Sequence, residues 1–201
     1  MKLLILIIAL VAHSSCSTRD QNGSNPNPRA VALNDSAVAL MMKFRPSALD
    51  SAHDLLNKAI SVDTNYFTAY ANKVSVYCRQ KNFSKAVETA KHLERIQPRN
   101  PEGIFTLGFL LERSGDTEKA LEKYNKAVAL NAEKLENLDS SDKQYISIQT
   151  NYALHLILAR QEENGKKQLD EILKKDPNNL AARMIYGKSR LEIFEGLTNK
   201  N

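Results

Sequence analysis

Tryptophan is absent from the 201-residue chain, and cysteine occurs twice. Two cysteines cannot build a disulfide framework or a four-cysteine zinc site. Glycine (7) and proline (6) are sparse, and aromatics make up 6% of residues. The turn residues that punctuate a many-stranded sandwich or propeller are therefore missing. No long apolar run follows the first dozen residues, which excludes a polytopic membrane protein. Neither sign of charge dominates: 28 Lys and Arg face 23 Asp and Glu, a net of +5. No Lys/Arg cluster is dense enough for nucleic acid. What is present is ordinary for a folded chain, with 42% hydrophobic and 25% charged residues. The length suits about one typical domain. Ala, Leu, Lys, Glu and Asn are plentiful, as in a helical protein.

Residues 1–15 read as a signal peptide. Met1-Lys2 is a short basic start, and Leu3 to Ala12 is an apolar stretch of ten residues. A membrane-spanning helix needs about 20. Ten suits the apolar region of a secretory signal. His13-Ser14-Ser15-Cys16 follows, and small residues before a Cys resemble the lipobox of bacterial lipoproteins. That resemblance implies lipidation of Cys16. His13 departs from it, since Leu, Val or Ile is usual three residues before the Cys. The other reading is an ordinary signal peptide cut near Ser15, with Cys16 incidental. Removal of residues 1–15 takes away only Lys2, leaving 27 basic and 23 acidic residues, a net of +4. Residues 16–32 read as the lipidated Cys and a flexible tether. The segment Ser17–Ala30 is polar and holds two Pro and one Gly. It lacks the apolar surface to fold alone, and its reach is about 20 Å.

From residue 33 the chain repeats. Pro101–Lys134 and Phe67–Asn100 are each 34 residues long. Each has an apolar helix, a short polar break, an amphipathic helix and a polar end. A helix–turn–helix period of 34 resembles the tetratricopeptide repeat, or TPR. The packing positions of that family (4, 7, 8, 11, 20, 24, 27 and 32) fall on Ile104, Leu107, Gly108, Leu111, Ala120, Tyr124, Ala127 and Ala132. In 67–100 they fall on Tyr70, Lys73, Val74, Tyr77, Ala86, Ala90, Leu93 and Pro98, with Lys73 off pattern. A first unit, 33–66, has Ala52, Leu56 and Ala59 in place, and a first helix Leu33–Phe44 that ends before Pro46. A last unit, 146–179, ends in Asp176-Pro177-Asn178-Asn179 and carries Gly165 where the family has Ala. Residues 135–145 are an insertion that lengthens a flanking helix or makes a bulge. Residues 180–196 form a capping helix, and 197–201 a tail. The resemblance implies an all-α fold: a right-handed α-solenoid of about four TPR helix pairs plus a C-terminal capping helix.

Catalytic signatures are missing. His53, His92 and His155 lie on three different repeats, without a second His or Cys three or four residues away. There is no H-E-x-x-H, G-x-S-x-G, P-loop or G-x-G-x-x-G. The chain reads as a non-enzyme with no cofactor and no metal. Cys78 reads as a small, partly buried side chain rather than a redox group.

In the TPR family, positions 2, 5, 9, 12 and 13 of first helices line a concave groove. The resemblance implies that Arg79, Phe105, Phe109, Arg113, Leu154 and Ile157 lie there, with Glu112 and Cys78 beside them. Phe105 and Phe109 are four apart and extra to the packing set, so they are candidate apolar anchors. They serve only if neither the 135–145 insertion nor the capping helix covers them. The family's carboxylate clamp is not carried over: only Asn151 fits, and its lysines are missing. The reading is a cell-envelope lipoprotein that binds a protein or peptide partner as a scaffold or adaptor, with membrane contact through its lipid and no nucleic acid. Ser17 and Thr18 after the Cys, rather than Asp, tilt the location to an outer membrane. The rival reading is a soluble periplasmic or secreted TPR binder that sequesters its partner.

Overall fold

A computed structural model describes residues 25–43 and 45–198. The signal peptide, Cys16 and most of the tether lie outside the described residues. Among the described residues ten helices follow one another: α1 (Pro28–Met41), α2 (Pro46–Val62), α3 (Phe67–Arg79), α4 (Phe83–Ile96), α5 (Pro101–Arg113), α6 (Thr117–Glu136), α7 (Tyr145–Leu158), α8 (Glu162–Lys175), α9 (Leu180–Ile185) and α10 (Arg190–Thr198). There is no strand among the described residues.

The chain divides into two compact units, one ending at Arg99 and the other beginning at Asn100. In the first, α1 packs on α2 and α3 on α4, and α3 also meets α1 and α2. Its core gathers Ala30, Ala37 and Met41 of α1 with Ala52, Leu56 and Ala59 of α2. In the second, α5 packs on α6, α6 on α7, and α7 on α8, while α9 and α10 lie against these last two. Alanines at the crossings let paired helices approach closely: Ala52, Ala86, Ala120 and Ala127 are all buried. The large packing residues Ile104, Leu107, Leu111 and Tyr124 are buried between them.

The loops repeat as faithfully as the helices. Lys81, Gly115 and Arg160 are the fifteenth residues of their units, and all three have positive φ (59°, 93° and 65°). Only Gly115 adopts that backbone without a steric cost. Asn82 and Asp116 come next and accept the amides of Lys85 and Lys119, capping α4 and α6. Asn100 and Asn179 do the same for α5 and α9.

The helix bounds differ from the sequence reading at α1 and in the C-terminal cap. The first helix starts at Pro28 rather than Leu33, so residues 28–32 are helical and not tether. Asn27 accepts the Arg29 amide, and Pro28 sits at the first helical position, where its missing N–H costs nothing. That helix also ends early, at Met41, while Arg45 is extended before Pro46 as a pre-proline residue should be. The insertion lengthens α6 to Glu136 and then turns irregularly to Tyr145. The single capping helix is two helices, broken at Gly187 with φ 74°.

Candidate partner groove

Positions 9, 12 and 13 of the repeat are Phe109, Glu112 and Arg113 in α5. All three touch the C-terminal helix. The rings of Phe109 and Phe194 lie 5.5 Å apart at 57°. Arg113 donates to the carbonyl of Thr198 at 3.1 Å. The Glu112 carboxylate accepts from the Tyr124 hydroxyl at 2.8 Å and from the Arg190 guanidinium at 2.5 Å. Arg190 also donates through Nε to the Leu158 carbonyl at 3.0 Å, and its backbone amide donates to Glu162. Below these polar contacts Ile193 and Leu197 are fully buried. Of the two covers that the sequence left open for Phe109, the structure shows the C-terminal one in place.

The remaining candidates are placed differently from the groove the sequence suggested. Phe105 is 5% exposed and stacks on His155 at 4.0 Å, with Tyr124 at 5.4 Å. It packs between helices and is not a surface anchor. Leu154 and Ile157 are also buried, because α7 is enclosed by α6 and α8 with α9 and α10 also against it. Arg79 donates to the Met41 carbonyl at 2.6 Å, holding the end of α1. Arg79 and Arg113 therefore occupy equivalent positions and each grips the C-terminal carbonyl of a neighbouring helix. In the first unit Ser75 is buried and bonds back to Ala71, whereas Thr68, Ala71 and Cys78 stay half-buried.

The electrostatics favour fixed polar pairs. Burial, then the adjacent Glu112, raises the Tyr124 phenol far above its ordinary range, so it acts as a permanent donor. Burial, then Lys134, pushes His155 down to about 3. It stays neutral beside Asn131, 2.7 Å away. Burial, then Arg95, lowers His92, which lies against the Arg95 guanidinium. No group of three or more His, Cys, Asp or Glu able to hold a metal ion occurs among the described residues. No described helix is long and apolar enough to cross a membrane.

The residues that sequence reasoning missed are Arg190, Ile193, Phe194 and Leu197. Their spacing of i, i+3, i+4 and i+7 marks one helical face. Gly187 before them was a legible break.

Comparison with known proteins points the same way as the repeat. Residues 101–134 match the family model of the tetratricopeptide repeat. Heat shock protein STI1 of Saccharomyces cerevisiae is 33% identical over 90 residues, or 44% of this chain. The chain spans 15% of the length of that relative. A tetratricopeptide repeat protein from Parabacteroides merdae is similar with a TM-score of 0.50 at 19% identity, over 85% of this chain and 60% of that one. The TPR domain of Sgt2 from Aspergillus fumigatus gives 0.49 at 21%, over 74% and 84%. The likeness to the Parabacteroides merdae protein is one of fold: an all-helical chain of the TPR solenoid class. Residues 101–134 thus match a repeat that generally mediates protein or peptide binding.

Proposed function

We propose that this tetratricopeptide-repeat chain is a non-catalytic adaptor of the cell envelope, anchored by a lipid on Cys16, that binds a protein partner through its helix-receiving faces. One observation carries the binding half. The edge of α5 holds a helix by an aromatic contact, an ion pair and a backbone carbonyl together. A surface with those three elements is built to receive a helix. The anchoring half rests on sequence: the basic start, the ten-residue apolar stretch and Ser14-Ser15-Cys16. Ser17 and Thr18 favour an outer membrane, by analogy with lipoprotein sorting. Several acyl chains hold far more firmly than one, at about 0.8 kcal/mol per buried CH₂.

The test is cell fractionation of the wild type and Cys16→Ser, combined with in-cell photo-crosslinking from Phe109, the half-buried ring of the α5 edge. The expected result is a lipid-labelled, membrane-bound wild type with one dominant crosslinked protein. The variant becomes soluble and loses that crosslink. A soluble variant that keeps the crosslink supports the sequestering binder instead. Absence of any crosslinked protein overturns the adaptor reading.

A further inference from the structure

We propose that α10 is a built-in ligand of the α5 edge, and that the partner is a short amphipathic helix with the same face: an arginine followed by apolar residues three, four and seven places on. This rests on the partner-binding reading of that edge and names the class of helix it takes.

Arg190, Ile193, Phe194 and Leu197 present the anchor spacing by which amphipathic helices dock into grooves. Ile193 and Leu197 are buried while Leu191, on the opposite face, is 60% exposed. The helix is nine residues long over its described span. A helix that short is not stable alone in water, so its order derives from the surface it lies on. The connection to the preceding helix is exposed at Tyr186, Gly187 and Ser189. A side-chain carbon added at Gly187 would meet nothing within 4 Å, so the hinge is not packed against the fold. The C-terminal helix thus follows an exposed turn, tied at Tyr186 by its hydroxyl to Asp170 at 2.8 Å and open at Gly187, and is held by its face.

The chemistry of the socket selects the cation. Glu112 retains only 10% of its side-chain exposure and Arg190 20%. Arg190 reaches two acceptors at once, the Glu112 carboxylate and the Leu158 carbonyl at the C-terminal end of α7. The negative end of a helix and a carboxylate, set at two angles, suit a planar guanidinium fork better than a single ammonium. Removing the cation leaves a carboxylate that burial penalises. Any replacement for α10 must therefore bring its own arginine.

The test titrates a labelled peptide of residues 188–198 (KSRLEIFEGLT) into the full chain and into the full chain carrying Ile193→Ser and Leu197→Ser. A tethered ligand acts at an effective concentration in the millimolar range. The variant, with its own helix loosened, is expected to bind the peptide at least about tenfold more tightly than the wild type. A peptide with alanine in place of its arginine is expected to lose at least about tenfold on the variant. Equal affinity for the two chains, or equal binding of the two peptides, overturns the proposal. Native-state hydrogen exchange of the wild type needs no substitution. Amides of α10 exchanging at least about tenfold faster than those of α7 support a releasable helix. Exchange in step with α7 and α8 makes α10 an integral part of the core and overturns it. A wild type that forms concentration-dependent dimers by swapping α10 also overturns it, since the occupant would then be a second copy. The in-cell crosslink from Phe109 reports the adaptor reading separately. A positive peptide titration without a cellular partner would sink that reading and leave the latch intact.

Discussion

Gly165→Ala sets two effects against each other. Alanine is the residue at the equivalent position of the other three pairs, and intrinsic helix preference favours it by about 1 kcal/mol. The geometry at the crossing of α7 and α8 opposes it. A Cβ on Gly165 would lie 2.5 Å from Ile157 Cγ1 and 2.8 Å from the carbonyl oxygen of Ala153. Ordinary carbon contacts begin at about 3.5 Å. The Ile157 side chain is 1% exposed and has no open space to enter. The carbonyl belongs to the backbone of α7 and cannot rotate away. The α8 helix must therefore move off α7 by roughly half an ångström or more, loosening Leu169 and Ile172. Overpacking of this kind costs about 1–3 kcal/mol, with backbone contacts at the upper end. After the propensity gain, the net loss is about 1–2 kcal/mol. For a chain of this size that lowers Tm by roughly 2–8 °C. Thermal unfolding followed by far-ultraviolet circular dichroism measures it. Ala120→Gly is the companion, losing about 1 kcal/mol from propensity and more from the methyl. A Gly165→Ala protein that melts at or above the wild type would refute the close-crossing argument.

Three further outcomes are expected. His155 binds its proton near pH 6.5 when unfolded and only near about 3 when folded. Between those values the unfolded chain carries the extra proton, so stability falls as pH drops through 6.5. The slope is about 1.4 kcal/mol per pH unit, or about 3 kcal/mol by pH 4.5. His155→Gln should flatten it in urea titrations at pH 7.5, 6 and 4.5, and an unchanged slope would count against the assignment. Asn72 donates to Asn34 at 2.7 Å between α3 and α1, both side chains buried. Asn72→Ala should cost about 1–3 kcal/mol by leaving Asn34 unsatisfied, and Asn34→Ala in addition should cost less than the sum of the two single changes. Lys81 holds φ 59° where the next unit has Gly115. Lys81→Gly relieves a cost of about 1 kcal/mol and should raise the urea midpoint, partly offset by unfolded-state entropy.

Much of the helix pairing was legible because its causes are local. Small residues at 20 and 27 and large ones at 4, 7 and 11 must be buried wherever two such helices cross. Ala120, Ala127, Ile104 and Leu107 are buried accordingly. The start of α1 was also written in the sequence, but as Asn27-Pro28, a cap that resembles the Asn25-Pro26 of the tether before it. Composition alone does not distinguish the two. The groove was less legible because exposure is not a local property. Phe105 occupies the fifth position of its repeat, yet whether that position faces water depends on what lies beside it. Here that is His155, fifty residues further on, held neutral by its own burial.

The apolar character of α7 makes the C-terminal cover necessary rather than incidental. Its sequence, YISIQTNYALHLIL, places apolar groups on every side, and Leu154, Ile157 and Leu158 are all buried. Fully burying each such side chain contributes about 1.5–3 kcal/mol. Freeing the face that α10 covers would return part of that surface to water, so the open groove is a minor state. Spontaneous opening is then brief, and lasting release is an exchange, in which an incoming helix covers the same side chains as α10 leaves. Apolar cover by itself selects poorly, since many amphipathic helices could supply it. Glu112 supplies the discrimination: a helix without a cation at the right place buries that carboxylate with only the Tyr124 hydroxyl to hold it and is disfavoured. The affinity of the site thus comes from Phe109 and its apolar neighbours, and its choice of partner from one half-hidden acid.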